Sequence, residues 1–268
     1  MTYFLHRAPS ILLHAARASM APGSPANGAP SSAGPADPSL IEDLVAANRI
    51  LANQGVLDGY GHVSARHPGN SERYLLSRSL APELVTAGDI MEFDLDSNPV
   101  DQRGRNMYLE RYIHGEIYKA RPEVNAVVHS HSPAVVPFGV SSVALKPIYH
   151  MSAFLHRGVP VFEIREAAGM TDLLVRDPQL GRALARSLGD KPVALMRGHG
   201  NVTVGSSIPF AVYYAIYTEV NARLQLQAIG LGGSINYVAP EEGKLYEPNI
   251  AGTISRPWEL WKKKALGK

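Results

Sequence analysis

Two histidines, His129 and His131, stand two residues apart at the end of the apolar run Ala126-Val127-Val128. On a β-strand, residues two apart share a face, so both imidazoles would project together at a strand end, just ahead of Pro133. A third imidazole, His199, lies between Gly198 and Gly200. Flanking glycines let the backbone approach whatever the ring holds and turn the ring outward. Three imidazoles on such supports would hold a divalent ion and leave a coordination position open, which marks a catalytic rather than a closed structural site. The spacing also fits histidines satisfied by ordinary core or surface hydrogen bonds, and by itself it does not separate the two readings.

Composition narrows the chemistry further. The chain has 268 residues, 26 Lys+Arg against 24 Asp+Glu, a net charge of +2 and no cysteine. That balance argues against an electrostatic nucleic-acid binder. The absence of cysteine removes disulfides, thiolate zinc sites, Fe–S clusters and Cys nucleophiles. Any metal must be held by His, Asp, Glu or carbonyl oxygens. No apolar run approaches the ~20 residues of a membrane span.

The elements that would carry these histidines alternate between helix and strand. Residues 1–38 hold no acidic group before Asp37, and residues 21–38 are nearly all Ala, Pro, Gly and Ser. The expectation for 1–38 is a disordered tail, with a degenerate targeting peptide or an upstream start as alternatives. Residues 39–268 read as one α/β domain. The segment Ser39-Leu40-Ile41-Glu42 reads as a capping box opening a helix to about Gly55. Strands are expected at Tyr60–His67, Arg73–Ser77, Ile90–Leu95, Asn125–His131, Val159–Ile164, Val193–Arg197 and Val202–Val204. Helices are expected at Tyr108–Ala120, Pro178–Leu188 and Ser207 to about Ile229. The two tryptophans Trp258 and Trp261 should dock on this chain or a neighbour.

Taken together, Glu110, Ala120-Arg121-Pro122-Glu123, the run Ala126-Val127-Val128-His129-Ser130-His131-Ser132 and Arg197-Gly198-His199-Gly200 resemble the class II aldolase/adducin family, which includes metal-dependent sugar-phosphate aldolases and epimerases. The resemblance covers roughly residues 39–230. It implies a single three-layer α/β/α domain around a central, mostly antiparallel mixed sheet. It also implies His129, His131 and His199 as ligands of one divalent metal per subunit, Zn, Mn, Fe or Co. Glu110, nineteen residues ahead of His129, is implied as fourth ligand or general base. The family further implies a homotetramer with active sites at subunit interfaces; a cytoplasmic location is a separate expectation.

The departures from the family pattern bear on substrate. The phosphate-binding Gly-Asn pair is here Gly61-His62, a phosphate loop reads Ser77-Arg78-Ser79-Leu80, and Tyr108-Leu109 precede Glu110. Two small phosphate-cradling elements have become bulky or basic. His62 and Arg78, with Ser79, suggest instead a planar anion such as a carboxylate. The family's Tyr acid, supplied by a neighbouring subunit, aligns with His150, with Tyr149 one residue earlier. His150 is therefore a candidate acid or base, and Tyr149 a candidate substrate contact. These features favour a divalent-metal-dependent carbon–carbon lyase on a non-phosphorylated carboxylated substrate, with decarboxylation of a hydroxylated aromatic or heteroaromatic acid ahead of retro-aldol cleavage. A non-haem iron oxygenase and a non-catalytic adducin-like binding module are the alternatives.

Overall fold

Alternation along the apolar run before His129 decides how the molecule is layered. In the computed structural model, which describes residues 28–267, Ala126 and Val128 point into one hydrophobic core, while Val127 points into another on the opposite face of the same strand. His129 follows Val127 in phase, so the strand that is packed on both faces delivers its histidine to a defined side.

The elements run in order α1 (Pro38–Asn53), β1 (His62–Arg66), β2 (Arg73–Ser77), β3 (Ile90–Asp94), α2 (Tyr112–Ala120), β4 (Ala126–Ser130), α3 (Val136–Val140), β5 (Val161–Phe162), α4 (Ile164–Ala168), α5 (Pro178–Leu188), β6 (Val193–Met196), β7 (Gly200–Gly205), α6 (Ile208–Leu231), α7 (Pro240–Thr253) and α8 (Ser255–Leu266). The strands form one sheet in the order β3-β2-β1-β4-β7-β6-β5. Each described pairing is antiparallel except β5 with β6. Residues of α2 and α5 pack on the face that Val127 enters, and residues of α1, α6 and α8 on the face of Val128. This is the expected three-layer α/β/α arrangement, with β4 at its centre.

Local chemistry explains the joints. The buried Arg66 guanidinium, at the end of β1, donates to the carbonyls of Val124, Ser71, Tyr118 and Arg121. It gathers the last carbonyls of α2 and the entry to β4 around one charge, where a helix C-terminus favours a cation. Helix α1 starts at Pro38, two residues earlier than a Ser39 cap implies. Its cap is Asp37, whose side chain accepts from the Ser39 amide, so Ser39 is not the N-cap. Residues 1–27, with the targeting and tail readings placed on them, lie outside the described residues. Next to them, the Ser32 hydroxyl and the Ala33 amide donate to Glu92 of β3, which ties part of the segment expected as tail to the sheet. The C-terminal helices α7 and α8 were not foreseen. Trp258 is buried with residues of α1, and Trp261 lies against Tyr217 of α6, so both tryptophans dock on this chain. Among the described residues no helix is long and apolar enough to cross a membrane.

Candidate metal centre

β4 and β7 are neighbours with His129 opposite Val202 and Ser130 opposite Asn201, which brings the turn holding His199 alongside the end of β4. A short 3-10 turn, Leu109–Arg111, precedes α2 and presents Glu110. These connections bring one carboxylate and three imidazoles together: ligand atoms of Glu110, His129, His131 and His199 all lie within 4.8 Å of one another. Glu110 Oε2 is 3.5 Å from His129 Nε2 and 3.3 Å from His199 Nε2, and the Nε2 atoms of His131 and His199 are 3.1 Å apart.

Backbone groups aim these ligands. His129 Nδ1 lies 3.2 Å from the Asn201 carbonyl, and His199 Nδ1 lies 3.0 Å from the Leu173 carbonyl. A carbonyl only accepts, so each Nδ1 carries the proton and each Nε2 turns a lone pair inward, the usual way a protein orients a metal-binding histidine. The Val175 amide donates to Glu110 Oε1 at 2.9 Å and leaves Oε2 for the cluster. His129 Nε2 is buried with no hydrogen-bond partner; its approach to Glu110 is too long to serve as one. A buried polar atom left unpaired is costly. Inward lone pairs, an orphaned buried nitrogen and a carboxylate oxygen are the donor set a divalent ion takes, so the residues present fit the metal.

Burial alone would raise the Glu110 carboxyl, but His129 and His199 beside it outweigh that and hold it well below the usual carboxylate range. His131 is pushed down to about 4, first by burial and then by its imidazole neighbours. Burial thus favours the neutral ring of His131 as a ligand.

Room at the turn is tight. A side chain on Gly200 would collide with the Ser130 carbonyl and sit 3.1 Å from His131 Cα. We expect Gly200→Ala to cost about 1–3 kcal/mol of stability by overpacking and to spread His199 from His131. Chemical denaturation of metal-free protein alongside zinc titration checks both effects, and an unchanged midpoint with unchanged affinity would contradict them.

Glu110, His129 and His131 form one wall of a cavity of about 560 Å³, whose other walls include His62, Ser79, Tyr60, Leu80, Tyr108, Leu109 and Leu174. Of the substrate residues expected from the sequence, His62 and Ser79 reach this cavity. Arg78 is not part of its lining, because its Nε is 2.5 Å from Asp89 Oδ1. Tyr149 and His150 are also absent from it: Tyr149 packs near Tyr217, and the exposed His150 ring meets Tyr246 edge-on. Sequence reasoning missed the orienting groups Leu173, Val175 and Asn201, since a backbone carbonyl or amide leaves no mark in residue type. It also missed His114, although a visible signal existed. His62 and Ser64 share one face of β1, His114 and Tyr118 share one face of α2, and both pairs are polar at the period of their element.

Tyr108 fills part of the space beside the loop Ser77–Leu80. Its hydroxyl donates to the Leu80 carbonyl at 2.7 Å, and it lies 3.3 Å from Ser77 Oγ and 3.5 Å from the Leu80 amide. The phenol thus lies against one hydroxyl of the loop, that of Ser77, and its ring covers His62 at 4.4 Å between centroids.

Comparison with known proteins agrees with this architecture. A family model described as the class II aldolase and adducin N-terminal domain matches residues 42–226. Decarboxylase tropJ of Talaromyces stipitatus is 38% identical over 244 residues, covering 82% of this chain and 92% of that protein. A 3,4-dihydroxyphthalate decarboxylase of Arthrobacter keyseri is 33% identical over 231 residues, covering 80% and 88%. Among solved structures, an L-fuculose 1-phosphate aldolase from Glaciozyma antarctica superposes with a TM-score of 0.70 at 27% identity, covering 85% of this chain and 90% of that one.

Proposed function

The chain belongs to the class II aldolase and adducin family, and from that premise we propose that it is a divalent-metal-dependent lyase that removes carbon dioxide from a hydroxylated aromatic or heteroaromatic acid. The observation that carries this reading is the Glu110-His129-His131-His199 cluster opening onto a cavity walled by aromatic and aliphatic side chains. The cavity is shaped for a flat apolar body with polar substituents at one end, and Tyr108 fills part of the space beside the loop Ser77–Leu80. Relatives at 33–38% identity that are named decarboxylases support the same reaction.

When bound, a divalent ion supplies Lewis-acid stabilisation of the negative charge that develops on substrate oxygen. The protein's own groups do the rest. Tyr60, Leu80, Leu109 and Leu174 exclude water from the ring. His62 meets a substrate oxygen beside the cluster. Loss of carbon dioxide leaves an electron pair on the ring carbon, which must receive one proton; Glu110, ionised at rest, is placed to take the proton of the substrate's hydroxyl on Oε2 and return it to that carbon. We also assign the working form as a cytoplasmic homotetramer, in which Tyr149 and His150, absent from their own chain's cavity, face a neighbouring one.

The test is purification without added metal, metal analysis, and assay of dihydroxyaromatic dicarboxylates. We expect about one divalent ion per chain, as a three-histidine catalytic site holds, and carbon dioxide release that needs no oxygen and stops with chelator. Metal binding without carbon dioxide release from any such acid would reject decarboxylation and leave retro-aldol cleavage; oxygen-dependent turnover would point to the oxygenase alternative.

A further inference from the structure

Behind His62 runs a buried chain of polar groups with a single polarity. His62 Nδ1 lies 2.6 Å from His114 Nε2, His114 Nδ1 lies 2.6 Å from Ser64 Oγ, and Ser64 Oγ lies 2.8 Å from the Tyr118 hydroxyl. His62 is 3% exposed, Tyr118 1%, and His114 and Ser64 not at all. The Tyr118 ring is held under the Arg66 guanidinium at 4.7 Å. Among the described residues, Ser64 Oγ is the acceptor that Tyr118 reaches. A buried hydroxyl that donates to nothing is costly, so Tyr118 donates to Ser64. Ser64 must then spend its own proton on His114 Nδ1. His114 is consequently protonated on Nε2 and donates to His62 Nδ1, and the His62 proton is left on Nε2. The ring is not turned over, because that would put a carbon atom 2.6 Å from His114 Nε2.

We infer that His62 is a locked hydrogen-bond donor: the relay from Tyr118 through Ser64 and His114 fixes its proton on Nε2, at the cavity, where it binds an anionic oxygen of the substrate and sets the preference for a carboxylated ring. This deepens the proposed decarboxylation and rests on it for the identity of the ligand. His62 lines the cavity beside His129, and no hydrogen bond among the described residues takes its Nε2. The relay does not work as a proton shuttle. Passing a proton out through His62 would draw the last one from Tyr118 and leave a phenolate in the core, and burial already pushes that phenol well up. His114, Ser64 and Tyr118 are therefore positioning residues, and His62 is the group that touches substrate. The lock discriminates because an obligate donor binds a carboxylate and is left unpaired by an apolar substituent.

The experiment is ¹⁵N-histidine NMR on the zinc-loaded protein, with phthalate as the probe. The expected spectrum shows His62 protonated at Nε2 with Nδ1 as acceptor, and phthalate shifts the Nε2 proton. Ser64→Ala, which cuts the relay, should yield a mixture of tautomers and weaken phthalate about tenfold, the scale of one hydrogen bond to a charged group. His62→Gln, which keeps an N–H donor, should retain more affinity than His62→Leu. Protonation of wild-type His62 on Nδ1, or phthalate affinity indifferent to the tautomer, would overturn the lock, and the wild-type spectrum decides even where a variant fails to fold. A locked Nε2 proton that responds to phthalate in a protein releasing no carbon dioxide would uphold the lock while rejecting the reaction.

Discussion

Replacing Glu110 with glutamine should lower kcat for carbon dioxide release by about 10³ or more, within the span expected for a positioned acid–base group, with the fold unchanged. The geometry explains both halves of that expectation. The retained side-chain oxygen still accepts from the Val175 amide, which now sits 2.9 Å from Oε1, so the 3-10 turn ahead of α2 keeps its anchor. The other oxygen, 3.3 Å from His199 Nε2 and 3.5 Å from His129 Nε2, becomes an amide nitrogen. That nitrogen carries no charge, transfers no proton at neutral pH, and donates to the lone pairs that a metal would use. Metal affinity should therefore fall together with turnover. Single-turnover carbon dioxide release, metal analysis and thermal unfolding of the same preparation check the three effects. Full activity in Glu110→Gln would end the assignment.

Which parts of this site were legible in the sequence follows from what determines each part. His129 and His131 were legible because strand residues two apart share a face; β4 ends at Ser130, one residue before His131. His199 was legible through its flanking glycines, one of which, Gly200, has no space for a side chain. Glu110 has no such local mark, since a carboxylate ahead of a helix is ordinary; it came only through the family resemblance. The partner of Arg78 was not legible, because Asp89 lies eleven residues on and sequence alone does not show that β2 and β3 pair. The central strands β4 and β6 were found within a few residues because their apolar runs are buried on both faces, and the edge strand β3 because it alternates. The unforeseen α7 contains Pro248 and Gly243, poor helix formers. It is held by tertiary contacts instead, with Gly243 close against His156 and the Ala153 carbonyl, and no local pattern records them. The tautomer relay behind His62 needed both β1 and α2 in place before its four polar groups could be seen as one chain.

His129→Ala should remove metal binding and activity together, and should also erase the stabilisation that metal confers. Of the cluster's imidazoles, His129 is the most deeply buried, 1% exposed, and it is aimed by the Asn201 carbonyl. Its Nε2 has no hydrogen-bond partner, so the metal-free protein bears the cost of an unpaired polar atom that a bound ion would relieve. Ion binding to the folded state alone adds stability by mass action, about 4 kcal/mol when free metal stands a thousandfold above its dissociation constant. Wild-type protein should thus unfold at a clearly higher temperature with metal than with chelator. In His129→Ala the two curves should coincide, because the remaining His131, His199 and Glu110 offer a weaker, less enclosed set. The metal-free variant loses the imidazole's packing but also its orphaned nitrogen, and those effects oppose each other. Its midpoint should consequently fall less, relative to metal-free wild type, than a comparable large-to-small change in an apolar core, where about 2–5 kcal/mol is usual. Paired thermal unfolding of both proteins, with metal and with chelator, separates these contributions. A variant that kept its metal-dependent shift would show that His129 is a packed core histidine and that the ion, if bound, lies elsewhere.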